Sequence, residues 1–479
     1  MLVLGAVCAV SVAIYLLASS WYFRIGFPLD DSWIHQTYAR NLALNQEWAF
    51  LPGQPSGGST SPLWTVLLSI GFLLGLSPYV WTFLLGWILL WGLALLGETA
   101  LRRWNTAYRP SLPWAGILLA MEWHLVWAAV SGMETILQAL IITAVLVMVA
   151  SRSKRYLIQG LLVGLSVWIR PDGITLLGPV LLGAVVQAPR DVRQWLKALL
   201  QILFGFMVIF GFYLLFNLAV AGTAWPNTFY AKQAEYSSYL ALPFLERVGQ
   251  QCLQPVVGVG LVLVPGLISH IVRTIRKKDW GSLLGIVWVC GFLVLYAWRL
   301  PVVYQHGRYG MPVLPIFLLI GFAGLYRLFE RNVFSRFLTR SWWILTGLIL
   351  VGFLGRGALA FAQDVSYIES EMVDTAKWVS VSIPPDDLVA AHDIGALGYF
   401  GGHELVDLAG LINPEIVPII RDEAGLTRRL DELGVAYLVV FPDWYETLTD
   451  GLRLVHSTQA VFAPTQGGTN LNVYRWPGP

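Results

Sequence analysis

Apolar segments recur from the N-terminus to about residue 362: Leu2 to about Phe23, then roughly 62–77, 79–100, 113–130, 134–150, 156–170, 173–188, 196–221, 254–274, 281–298, 310–328 and 340–362. Most approach the ~20 residues that an α-helix needs to cross a ~30 Å hydrocarbon core. A soluble globule cannot hide so many. With 56% hydrophobic and 13% charged residues and a mean hydropathy of +0.64, the chain is expected to be an α-helical polytopic membrane protein of about 11–12 spans. The first segment is too long for a signal-peptide core and lacks a clear basic start and cleavage site, so it reads as a retained span. A net charge of +2 gives no reason to expect nucleic acid as a partner.

Lys and Arg set the expected orientation. SRSKR at 151–155, the stretch with Arg190, Arg193 and Lys197, RTIRKK at 273–278 and the segment 327–340 all fit the cytoplasm. The N-terminus then lies inside, and the loops around 24–61, 221–252 and 299–310 lie outside with the tail. Arg102, Arg103 and Arg109 conflict with simple alternation unless the short segment 62–77 fails to cross. After residue 362 charges become frequent and apolar runs shrink to strand length. Two domains are expected: a membrane domain over 1–362 and a small extracytoplasmic α/β domain over 363–479, with an initial helix near 365–381.

Chemistry is expected in the polar loop from Pro28 to Trp64, PLDDSWIHQTYARNLALNQEWAFLPGQPSGGSTSPLW. Asp30 and Asp31 stand where water meets bilayer and carboxyl pKa values are easily shifted. Ser32 to Leu44 reads as an amphipathic helix in the interface plane, placing His35 one turn from Asp31. Gly57 to Ser61 reads as a flexible, hydroxyl-rich return. The plainer alternative makes Asp30 or Asp31 the N-cap of that helix.

This loop resembles the first extracytoplasmic loop of the GT-C glycosyltransferases, nearest the protein mannosyltransferase, aminoarabinose transferase and mycobacterial terminal arabinofuranosyltransferase group. SGMET at 131–135, PNTFYAK at 226–232, HGRYGMPVLP at 306–315, DIGALGYF and DLAGLINPE extend the resemblance over most of the chain. It implies a membrane enzyme that takes a single sugar from a polyprenyl-phosphate carrier and passes it to a cell-envelope glycan, lipid or protein. It implies an acidic base in this loop, pointing at Asp30 first and Asp31 second, and a bacterial plasma-membrane setting. Inverting single displacement is the expected mechanism.

Donor phosphate needs cations on the outer side; Lys232 and Arg308, with His306, are the expected ligands. Arg24 and Arg299 read as snorkelling side chains. His35, Arg40, Glu134, Tyr230 and Tyr309 are expected in the substrate pocket. Arg170 and Asp172 are expected to pair across Pro171, and Glu122 with His124 to form a structural feature. His392, Asp393, Asp407 and Asn413 either bind acceptor glycan or cap turns. No cofactor is expected, although Asp30, Asp31 and Glu134 offer the oxygen ligands that Mg²⁺ or Mn²⁺ favour. Cys8, Cys252 and Cys290 show no metal spacing. Rival readings are a transporter or flippase of lipid-linked sugars, and a lipid-linked glycan polymerase or ligase.

Overall fold

Side chains that are apolar all round make helices that must be covered by lipid or by one another, and the computed structural model shows both. It describes residues 1–187, 191–330 and 335–477; Arg190 and residues 331–334 of the basic stretches lie outside these. Among the described residues, seven helical stretches are long and apolar enough to cross a membrane: Leu2–Tyr22, Pro78–Trp104, Val192–Ala221, Val259–Lys277, Trp280–Arg299, Tyr304–Glu330 and Arg336–Ser382. Shorter apolar helices are Pro62–Leu73, Thr135–Ala150, Tyr156–Ile169 and Pro171–Val186.

The expected segment 113–130 is broken. Helices Trp114–Met121 and Trp123–Val130 meet at Glu122, whose carboxylate accepts from the Leu125 amide at 2.9 Å and lies 2.8 Å from His124 Nδ1. The pair is thus a cap inside an apolar run. Pro62–Leu73 has 12 residues, about 18 Å at 1.5 Å per residue, well short of a bilayer core. One end of the bundle gathers the basic stretches: Trp104 Nε1 donates to Ser151 Oγ at 3.2 Å, Arg327 to the Trp104 carbonyl at 2.7 Å, and Arg152 pairs with Asp279 at 3.4 Å.

At the other end lies helix Asp30–Asn45. It is not an interfacial helix with one wet face: Asp30 and every residue from Ser32 to Ala39 are buried. Pro62–Leu73 packs on it from one side, and the C-terminal region covers it from another. The glycine- and serine-rich return is likewise packed. Gly57, Gly58 and Ser59 are buried, and the Gly58 amide donates to Tyr38 Oη at 2.9 Å.

A hairpin of β1 (Ala49–Leu51) and β2 (Gln54–Pro55) closes the loop. The C-terminal region carries β3 (Val389–Ala391), β4 (Leu405–Asp407), β5 (Tyr437–Val440), β6 (Arg453–Ser457) and β7 (Asn472–Arg475), in the order β4-β3-β5-β7-β6. β3 is parallel to β4 and β5; β5, β7 and β6 run antiparallel. Alternation splits the sheet cleanly. Ala390, Val406, Leu438 and Val440 share a core with Leu426 and Leu430 of helix Glu423–Leu433, whereas Val389, Ala391, Val439 and Val473 belong to the core that continues into the membrane bundle.

Polar clamps reinforce that junction. Instead of snorkelling, Arg24 pairs with Glu369 at 2.9 Å and Asp374 at 2.8 Å, and Tyr79 also donates to Glu369. Arg40 donates to the Tyr399 and Gly398 carbonyls at 2.6 and 3.2 Å. Asp30 accepts from the Gly395 and Ala396 amides at 2.6 and 2.8 Å. A Cβ added at Gly395 would lie 2.1 Å from the Asp30 carbonyl oxygen, so only glycine permits this approach. Gly395→Ala should therefore lower stability by about 1–3 kcal/mol through overpacking, read as a lower thermal midpoint in detergent. Gly249→Ala, with no atom near the new Cβ, should not; equal midpoints for the two variants would show that the junction is not tight.

Candidate active site

Helix Asp30–Asn45 starts after Leu29 in extended conformation, and neither aspartate caps it. The two carboxylates part company. Asp30 turns to the C-terminal region and is consumed by the Gly395 and Ala396 amides, while Asp31 meets Arg308 Nη2 at 2.5 Å and Lys232 Nζ at 3.3 Å. Burial and the nearby Asp393 push the Asp30 carboxyl up, against the pull of its two amide donors. Burial also pushes the Asp31 carboxyl up, but Lys232 and Arg308 outweigh it and hold the group well below the usual carboxylate range.

Tyr309 gathers the cations. Its hydroxyl accepts from Arg308 at 3.1 Å and Lys232 at 3.4 Å, and the guanidinium carbons of Arg170 and Arg308 each stand 5.0 Å from its ring centre. Arg308 is 4% exposed, and its Nε and Nη1 are buried with no hydrogen-bond partner among the described residues. Arg170 is spoken for: it contacts Glu134 at 3.0 Å, Asp172 at 3.2 Å and Tyr296 at 2.8 Å. The expected Arg170–Asp172 pair is present, inside a wider network. Glu134 continues to His35 at 3.5 Å, which also lies 3.3 Å from Ser59 and 3.4 Å from Thr65. Gly132, at φ +80° and with Ser32 directly against it, allows the turn that carries Glu134 to dock on the loop helix.

Two cavities meet here. The larger, about 810 Å³, lies between the loop helix, the outer segment around Glu235 and the C-terminal region, and is lined by Asp31, Asp364, His392, Asp393 and Trp444 among others. The smaller, about 330 Å³, is walled by Ile174, Trp225, Phe229, Leu295 and Leu300, with Glu134, Arg170, Arg299 and Tyr309. Lys232 and Arg308 line both.

The structure thus brings Asp31, Lys232, Arg308, Tyr309 and Glu134 together, with His35 behind Glu134. His306 goes elsewhere: it pairs with Asp364 at 2.7 Å, beside Trp123 and Trp127. Arg40 is a clamp, and Tyr230 lines neither cavity. Asp407 and Asn413 cap turns; Asp407 accepts from the Ala409, Leu411 and Ile412 amides. Asp30, Asp31 and Glu134 answer to different partners, and no group of three or more His, Cys, Asp or Glu side chains among the described residues is placed to hold one metal ion. The sequence reading did not single out Asp364, Tyr296 or Trp444. A lone arginine between two apolar runs was the available signal for the network around Arg170.

Residues 363–474 match a family model described as a domain of unknown function, DUF8728. No curated protein is significantly similar in sequence. Among solved structures, ArnT from Cupriavidus metallidurans aligns over 98% of this chain and 97% of its own, at TM-score 0.60 and 15% identity when bound to undecaprenyl phosphate, and 0.57 and 16% in the apo state. The Archaeoglobus fulgidus oligosaccharyltransferase in the apo form aligns over 91% of this chain and 69% of its own, at TM-score 0.55 and 12% identity. The chain has the GT-C glycosyltransferase fold and is an integral membrane protein.

The Asp31 ion pairs carry a pH signature. Because folding depresses the Asp31 pKa, its contribution is complete above the ordinary carboxyl value of ~3.9 and is lost as pH falls through the folded value. The thermal midpoint of the purified protein should fall on acidification below about pH 5, and Asp31→Asn should shallow that acid limb. Superimposable acid limbs would show that the pairing contributes nothing to stability.

Proposed function

We propose that this protein is a glycosyltransferase moving a single sugar from a polyprenyl-phosphate donor to a cell-envelope glycan, lipid or protein acceptor, by inverting displacement with Asp31 as base. The observation that carries this reading is that Lys232 and Arg308, the cations holding Asp31, line both cavities. The smaller cavity suits a prenyl phosphate: apolar and aromatic walls for the chain, cations for the head. The unpartnered N–H groups of Arg308 are ready for phosphate oxygens. Undecaprenyl phosphate is bound in one of the two ArnT structures of the same fold.

An acceptor hydroxyl entering from the larger cavity attacks the anomeric carbon. The new oxygen–carbon bond forms as the bond from that carbon to the phosphate oxygen breaks. Asp31 takes the hydroxyl proton, and the departing prenyl phosphate keeps its electron pair beside Arg308 and Lys232. Without donor, those cations make Asp31 a weak base. Donor phosphate draws them off, and the carboxylate regains its basicity only when a sugar is present to be transferred. Asp30 has a different task, holding the C-terminal region against the loop helix.

The same reading sets the topology in a bacterial plasma membrane. If Pro62–Leu73 returns to its starting face, the seven long stretches, the other three short helices and the broken pair Trp114–Val130 make eleven crossings. The N-terminus is then cytoplasmic, as are Arg102 and Arg103, with the site and tail outside.

Transfer from radiolabelled polyprenyl-phosphate sugars in proteoliposomes tests the reading. Asp31→Asn should reduce turnover by ~10²–10⁴-fold while donor still binds, and Arg308→Ala should weaken donor binding. Asp30→Asn should act mainly on the thermal midpoint. Wild-type turnover by Asp31→Asn would exclude it as base; lipid-sugar movement across the bilayer without transfer, surviving all three substitutions, would favour a flippase.

A further inference from the structure

The larger cavity extends from Asp31 over side chains of the C-terminal region. There His392 lies 3.3 Å from Glu235 and 2.7 Å from Tyr445 Oη, fastening the outer segment to the sheet. Beside it Trp444 is 48% exposed, edge-on to His392 at 5.1 Å. Three side chains lining this cavity carry buried polar atoms with no hydrogen-bond partner among the described residues: Asp393 Oδ2, Gln305 Oε1, and Nε and Nη1 of the almost fully buried Arg308.

Unpaired acceptors and donors facing one cavity call for a ligand that supplies both. A hydroxyl does so, since it donates once and accepts twice. An exposed indole adds a platform for the apolar face of a sugar ring. The charge of the wall narrows the class further. Away from the cations around Asp31, Glu235, Asp364, Asp393 and Glu423 line the cavity against Arg421 and His392, a net acidic wall that disfavours a phosphorylated or uronic ligand.

We propose that Asp393 and Trp444 form a subsite for an uncharged glycan, its hydroxyls on Asp393 and Gln305 and one ring against Trp444. Naming that glycan the acceptor rests on the transferase reading; its binding here does not.

Calorimetry and saturation-transfer NMR on the full-length protein in nanodiscs would test this, with neutral mannan and arabinan fragments as probes and uronate and phosphorylated oligosaccharides of equal length as comparators. Binding of polyprenyl phosphate serves as the control for an intact membrane domain. Wild type should bind a neutral fragment. Asp393→Asn and Trp444→Ala should each weaken this at least tenfold and Trp444→Phe less, with polyprenyl-phosphate binding unchanged in all three. No binding of any neutral fragment, a preference for the anionic comparators, or neutral binding unchanged in both Asp393→Asn and Trp444→Ala would overturn the proposal. Neutral binding lost in the variants of a protein that never binds polyprenyl phosphate would uphold the subsite and sink the transferase.

Discussion

Burying a charge is tolerable only when an opposite charge is buried with it, and the outer end of this bundle is arranged around that rule. Asp31, Lys232 and Arg308 come from the first loop, the 227–235 helix and the turn before helix Leu314–Glu330. Glu134, Arg170 and Asp172 come from two further turns. None of these segments has a local reason to approach the others; mutual neutralisation draws them in. The resulting network fixes where two cavities touch.

Removing one partner from such a network normally leaves an uncompensated charge that costs several kcal/mol. An anionic ligand changes this, because it replaces a carboxylate as counter-charge. Arg170 differs from Arg308 in that respect. All three of its donor nitrogens contact protein groups, so it stiffens the wall, while Arg308 keeps donors in reserve.

The apolar segments, the tail's strand–helix alternation and the polar loop were legible because each is a local pattern: long apolar runs, period-two alternation, acidic residues beside a helix start. The cluster of Asp31, Lys232, Arg308, Tyr309 and Glu134 was legible through family-like motifs. What could not be read depends on contacts distant in sequence. Asp30 and Asp31 are adjacent and chemically identical, and partners distant in sequence, Gly395 and Ala396 for one and Lys232 and Arg308 for the other, separate their fates. The loop helix looks amphipathic because its polar side chains are met by polar groups of the bundle, of the loop itself and, at Asp30 and Arg40, of the tail, not by water. His306 sits in the expected motif, but left-handed backbone at Gln305 and His306 accompanies its turn toward Asp364. Asp393 was legible as the acidic residue that opens DIGALGYF, whereas Trp444 carries no local signal.

The division of the sheet into one face with its own core and one face continuous with the bundle bears on how the molecule is made. The loop helix, with buried Gln36, Asn41 and Ser32 on it, is synthesised some 350 residues before the segment 395–399 that closes over Asp30 and Arg40. Ser32, Gln36 and Asn41 find their partners within the first 131 residues, at Ser131, Thr82, Ala49 and Phe50, whereas Asp30 and Arg40 wait for residues 395–399. Assembly therefore ends on contacts of very long sequence separation, between residues 30–40 and 395–399. A chain cut before residue 395 would keep its apolar helices and lose the partners of Asp30 and Arg40.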